Sequence, residues 1–295
     1  MDIGFLTTGL LTGLREGVEA ALIVSITLVY LARTGNARRF GRIWIGAAAA
    51  VVISLGIGIA LFLTIGELPS PTEQIFEASA MLLAAGVVTW MLFWMRRTAA
   101  NIRGELQVGI DRALTNGNLW GLSALAFTAV IREGIETALF LLGQVTAASQ
   151  AHEGALSTLA GAAIGIAAAA LIGYGFYRGA HVLNLRAFFT WTGLGLIFVA
   201  AGLVANAMHE LIEVNVIRIG TGIAFDISRF LPHDPAGGNV LGQMLHAVFG
   251  YSSTPEWTML VVWIGYLVSV LWLYTRPMPR APSTSPAVEQ HPAST

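Results

Sequence analysis

Leu14-Arg15-Glu16-Gly17-Val18-Glu19-Ala20-Ala21-Leu22 and Ile131-Arg132-Glu133-Gly134-Ile135-Glu136-Thr137-Ala138-Leu139 are two copies of one pattern. Each sets an arginine, an adjacent acid, a glycine and a second acid four residues after the arginine. The motifs begin 117 residues apart, each inside an otherwise apolar run. A charge at the centre of a bilayer costs about 2.5–3.5 kcal/mol, so six would cost about 15–20 kcal/mol if unpaired. They must share a polar interior, and charges kept at that depth mark function.

The surrounding sequence reads as lipid-embedded. The chain of 295 residues is 55% hydrophobic and 11% charged, where globular domains run near a quarter charged. Apolar runs of about 20 residues span a bilayer. Seven occur, at about 5–32, 43–65, 73–95, 119–148, 156–177, 188–213 and 257–274. The expected fold is an all-α membrane protein with seven transmembrane helices. With no cysteine, disulfides and thiolate metal sites are excluded. Met1-Asp2-Ile3-Gly4 lacks the basic start of a signal peptide, so the first run is expected to remain as a membrane helix.

Arginine placement gives the expected orientation. Twelve arginines fall on one side: Arg33, Arg38, Arg39 and Arg42, then Arg96, Arg97, Arg103 and Arg112, then Arg178, Arg186, Arg276 and Arg280. The other side has only Arg218 and Arg229, with ten acids. The positive-inside rule then puts the N-terminus outside and the C-terminus in the cytoplasm. An acidic outer mouth concentrates cations and repels anions.

The two motifs would lie on antiparallel helices. Runs one to three and four to six form halves of opposite orientation, about 5–97 and 118–213, with 257–274 as an extra helix; together these make a permease domain over 1–276. Inverted repeats of this kind place substrate near the midplane, where the halves meet. Gly161-xxx-Gly165 has the spacing of close-packed membrane helices. Leu241, Met244, Leu245, Val248 and Phe249 read as one amphipathic helix lying at the interface, more a structural cap than a lid. Residues 277–295 read as a disordered cytoplasmic tail.

On a helix, the arginine and the second glutamate share a face one turn apart, while the first glutamate is rotated by about 100°. Glu16, Glu19, Glu133 and Glu136 with Arg15 and Arg132 sum to −2 when ionised. This donor set is hard oxygen, suited to hard cations and to ferric iron. The arginines offset the acids and can draw a carboxylate off the metal, which aids release; a transport site must load and also unload. The motif glycine permits close helix approach. A packing-only Arg–Glu pair accounts for neither Glu16 and Glu133 nor the duplication.

The duplicated motif in a seven-helix chain resembles the oxidase-dependent ferric iron permeases, the fungal high-affinity and bacterial EfeU-type permeases among them. The resemblance runs from Phe5 to about Arg276, and the lack of appended domains looks like the bacterial members. It implies that Glu16, Glu19, Glu133 and Glu136 handle iron(III) as the transported ion, beside Arg15 and Arg132, with no permanently bound cofactor. It also implies an inner-membrane location and an extracytoplasmic protein that oxidises or delivers iron. No nucleic-acid partner is expected.

Glu73 and Glu77, one turn apart, and His209, Glu210 and Glu213 fall on the outer side and form a candidate intake site; solvated helix ends are the alternative. Gln144 and Asn206 read as interhelical hydrogen-bonding residues. Oxygen donors alone leave a lead or manganese permease open. A di-iron enzyme would need Glu-x-x-His pairs, which neither motif has.

Overall fold

A computed structural model describes residues 2–64, 71–98, 108–112, 114, 119–148, 154–179, 185–232 and 239–276. The tail expected beyond Arg276 lies outside the described residues. Among those described, the long elements are α1 (Ile3–Arg33), α2 (Phe40–Thr64), α3 (Thr72–Thr98), α4 (Leu119–Ala147), α5 (Gly154–Tyr177), α6 (Leu185–Glu213) and α8 (Trp257–Thr275). A short α7 (Val240–Phe249) precedes α8. The apolar runs therefore became helices, with ends within a few residues of those expected.

Five helices, α2, α3, α5, α6 and α8, are long and apolar enough to cross a membrane. α1 and α4 are of similar or greater length, at 31 and 29 residues, and are set apart by their three motif charges each. A rise of 1.5 Å per residue makes α1 about 46 Å long. This is an all-helical, multi-pass membrane protein. Its outer surface is apolar: Val52, Leu171 and Trp191 are each about 70% exposed. The closest helix contacts are made at small and polar residues such as Gly9, Gly13, Thr158 and Ala162, as expected where lipid removes the hydrophobic drive for helix association.

α1 runs parallel to α5, and α2 runs parallel to α4, with backbones in contact at glycines. The contacts recur at fixed offsets. Gly46 abuts Ser123 and Phe127, as Gly161 abuts Leu6 and Leu10. Gly17 faces Ala169 as Gly134 faces Ser54, and Gly173 faces Ala21 as Gly58 faces Ala138. A shift of 117 residues takes α1 positions to α4, and a shift of 115 takes α2 positions to α5. α1 and α4 cross antiparallel, since Thr12 meets Gln144 while Leu28 and Leu31 pack with Leu122 and Ala126.

The helix ends sort by charge. At one end Tyr30 donates to Asp111 (2.6 Å), Phe40 packs on Tyr177, Arg42 stacks on Trp120 and Arg178 on Tyr174. At the other, the Asp2 N-cap meets Ser157 on α5, and His209 meets Glu256. The largest apolar cluster joins α3, α4, α6 and α8 through residues such as Met81, Phe140, Leu196 and Tyr274.

The amphipathic helix starts at the Asn239 N-cap and ends at Gly250 in the left-handed conformation (φ 68°). It docks on the bundle: Ala247 sits against Gly4 of α1, and Gly250 against Gly202 of α6. It thus covers the start of α1 and packs along the side of α6 through close backbone approach.

Overpacking tests the glycine contacts. Gly161→Leu should destabilise the fold by about 1–3 kcal/mol or more, because the neighbouring atoms are rigid backbone of α1. Gly86→Ala, which meets nothing within 4 Å, should be neutral or stabilising by about 0.5–1 kcal/mol. Thermal unfolding of the purified protein in detergent measures both.

Candidate metal site

The motif glycines bring their helices in close. Gly17 admits Ala169 of α5 and Gly134 admits Ser54 of α2, so each motif is clamped from behind and presses its charges toward the α1–α4 crossing. There, one carboxylate oxygen from each of Glu16, Glu19 and Glu133 lies within 4.8 Å of the others. All three residues are buried, as is Glu136. Four carboxylate oxygens here, Glu16 Oε2, Glu19 Oε1, Glu133 Oε2 and Glu136 Oε2, are buried without a hydrogen-bond partner. Buried acceptors in that condition are costly, and a cation shared among them would satisfy them.

The two arginines are held differently. Arg15 is 1% exposed. Its Nη1 donates to Glu16 Oε1 at 2.9 Å, and its Nη2 lies 3.4 Å from Glu19 Oε1. The closer partner is thus the adjacent acid, despite its rotation around the helix; the long guanidinium stem bends to reach both. The same two nitrogens also donate to the sulfurs of Met91 (3.1 Å) and Met95 (3.0 Å) on α3. Arg132 instead pairs with the expected i+4 acid, Nε to Glu136 Oε1 at 2.9 Å, and is 33% exposed. Its guanidinium lies 3.7 Å over the ring of Trp94, with Trp90 behind at 5.8 Å. A cation over an indole face gains electrostatically from the ring quadrupole.

α3 therefore seats both motif arginines, one on Met91 and Met95 and the other on Trp90 and Trp94. Sequence reading missed these four residues. The signal was there, a methionine pair and a tryptophan pair each spaced by four on one helix, but apolar residues in an apolar run read as packing.

Of the five expected intake residues, His209 and Glu213 lie within reach of each other. Glu77 and Glu210 are buried, Glu73 is half-buried and Glu213 is exposed. His209 Nδ1 lies 2.8 Å from Glu256 and Nε2 3.5 Å from Glu213, tying α6 to the start of α8. Among the described residues, only Glu16, Glu19 and Glu133 bring three such donors to metal-ligand distance. Gln144 makes the expected interhelical bond, donating to Thr12 Oγ1 at 2.6 Å.

The model of the iron permease FTR1 family matches residues 7–275. The chain belongs to that family. It is 40% identical over 274 residues to the ferrous iron permease EfeU of Escherichia coli O6:H1, covering 92% of this chain and 96% of the relative. It is 38% identical over 273 residues to the EfeU of Yersinia pestis, covering 92% and 93%. No solved structure matches. Membership makes the protein an iron transporter of the membrane, with the ion as cargo.

The unequal seating of the arginines predicts unequal tolerance. Removing one partner of a buried ion pair costs about 3–5 kcal/mol, far more than at a partly exposed one. Arg15→Lys, which loses the fork spanning two acids and two sulfurs, should cut iron uptake about tenfold or more. Arg132→Lys should stay within a few-fold of wild type, because a lysine still meets Glu136 and the indole. Uptake normalised to membrane-inserted protein checks the order of the two.

Proposed function

We propose that the protein imports iron across the inner membrane through a cation site shared by the two motifs, with Glu16, Glu19 and Glu133 as ligands and Glu136 as an exchangeable fourth held by Arg132. The observation that carries this reading is the convergence of three buried carboxylates from two helices, at positions 117 residues apart in the chain. Arg15 keeps the local charge low enough for the acids to be buried together, and competes with the metal for Glu16 and Glu19. Binding that is offset in this way permits unloading as well as loading.

The architecture proposed is seven membrane-spanning helices, with α1–α3 and α4–α6 as inverted halves and α8 as the extra helix. The recurring glycine contacts and the antiparallel crossing of α1 and α4 support it. The arginine-rich end faces the cytoplasm by the positive-inside rule, which leaves the N-terminus outside. An extracytoplasmic protein that oxidises or hands over iron would meet the opposite end, near α7, Glu77 and His209.

The oxidation state has two readings. Hard carboxylate donors favour iron(III). The relatives above are named ferrous iron permeases, which favours iron(II). Uptake of radioactive iron by cells expressing the protein, with ascorbate and then under oxidising conditions, separates the two.

Alanine at Glu16, Glu19, Glu133 or Glu136 should abolish uptake while leaving the protein in the membrane. Normal uptake by all four variants would remove the motifs from the mechanism. Uptake of manganese or lead in place of iron would contradict the choice of metal.

A further inference from the structure

A narrow cavity lies at the α7 end of the bundle, between α1, α4, α6 and α7. Thr8, Gln144, Asn206 and His246 contribute its polar lining, and Phe5 and Leu203 are among its apolar walls. It stands on the line that leads to the carboxylates. Along α1, Thr8, Thr12 and Glu16 succeed one another at single-turn spacing, all 1% exposed or less. Eight residues of helix separate Thr8 from Glu16, a rise of about 12 Å.

Gln144 occupies the joint between the cavity and the carboxylates. It is 4% exposed; its Nε2 donates to Thr12, and its Oε1 has no hydrogen-bond partner. A buried amide oxygen left in this way costs free energy and is a ready ligand for a cation. His246 borders the cavity, its ring fixed by Nδ1 against the backbone carbonyl of Tyr251 at 2.7 Å.

The other half of the crossing has no counterpart. The shift of 117 residues that takes Glu16 to Glu133 takes Thr8 to Leu125, and Gln144 corresponds to Thr27, bonded to its own helix at Ile23. Leu125 packs against the apolar cluster of Leu28, Leu31, Ile110 and Leu122. The polar column is one-sided, as a feature serving one direction of approach would be.

We propose that Gln144, with Thr8 and Asn206, forms a second cation station, a neutral oxygen site where a divalent ion sheds water before reaching the carboxylates. This rests on the permease reading. Neutral donors hold an ion more weakly than carboxylates do, so a station of this kind passes cargo onward rather than trapping it. Neutral oxygens offset less charge than carboxylates do, which suits a divalent ion such as manganese(II) better than a trivalent one.

Two measurements test the station. The first is iron uptake by cells expressing the full chain as Gln144→Leu, Gln144→Asn or Thr12→Val. Gln144→Leu should raise the half-saturating iron concentration about tenfold, and Gln144→Asn should be intermediate. Thr12→Val, which breaks the helix-to-helix bond but keeps the amide oxygen, should stay near wild type. An unchanged half-saturation in Gln144→Leu, or equal losses in Gln144→Leu and Thr12→Val, overturns the station and leaves Gln144 as a packing residue.

The second uses manganese(II) as a paramagnetic probe on purified protein, and needs no transport. Glu16→Gln/Glu133→Gln should retain one weak site, and adding Gln144→Asn should weaken it further. No residual site in the double variant overturns the station. If wild type binds manganese at this site yet cells take up no iron, the permease reading fails while the station stands.

Discussion

Five buried charges and a partly open sixth, at one level of a helix bundle, constrain everything around them. No single helix can satisfy them, since each motif leaves carboxylate oxygens unpartnered even after its own arginine has paired. The charges must therefore meet, and meeting requires α1 and α4 to cross antiparallel at the motif level. That in turn requires α5 behind α1 and α2 behind α4 to approach at backbone distance, which is why the closest packing sits at Gly9, Gly13 and Gly17 on one side and Gly46 and Gly134 on the other. α3 then closes the site by providing soft, polarisable seats for both guanidiniums.

The two motif helices keep matching glycine contacts and differ in chemistry. Arg15 is sealed between acids and thioethers, while Arg132 lies partly open on an indole. On the α7 side of the crossing the interior is polar, with Thr8, Thr12 and Gln144 in line; on the arginine-rich side it is filled by Leu28, Leu31, Ile43, Ile110 and Leu122. Access to the carboxylates in this conformation is therefore easier from the α7 side, and passage to the other side requires the leucine-rich cluster to part.

Much of this was legible in the sequence, for physical reasons. Apolar runs the length of a bilayer read directly as helices, and the motif charges, expensive at that depth, announced a shared interior. The Gln144 bond to α1 followed from a polar side chain in a dry helix. What could not be read was which side of each arginine would be filled, because Met91, Met95, Trp90 and Trp94 carry no charge pattern. Nor could spacing show that Arg15 would favour Glu16 over Glu19, since the choice depends on how far the guanidinium stem bends. The four outer acids and His209 share a side by topology, but a side is wide, and their distances depend on helix rotations that periodicity does not fix.

Anomalous scattering at the iron edge, from crystals of the purified protein soaked with iron, tests the central claim most directly. One peak within bonding distance of Glu16, Glu19 and Glu133 together is the expected result. A peak bound by only one of the two motifs, or none at the α1–α4 crossing, would contradict a shared site.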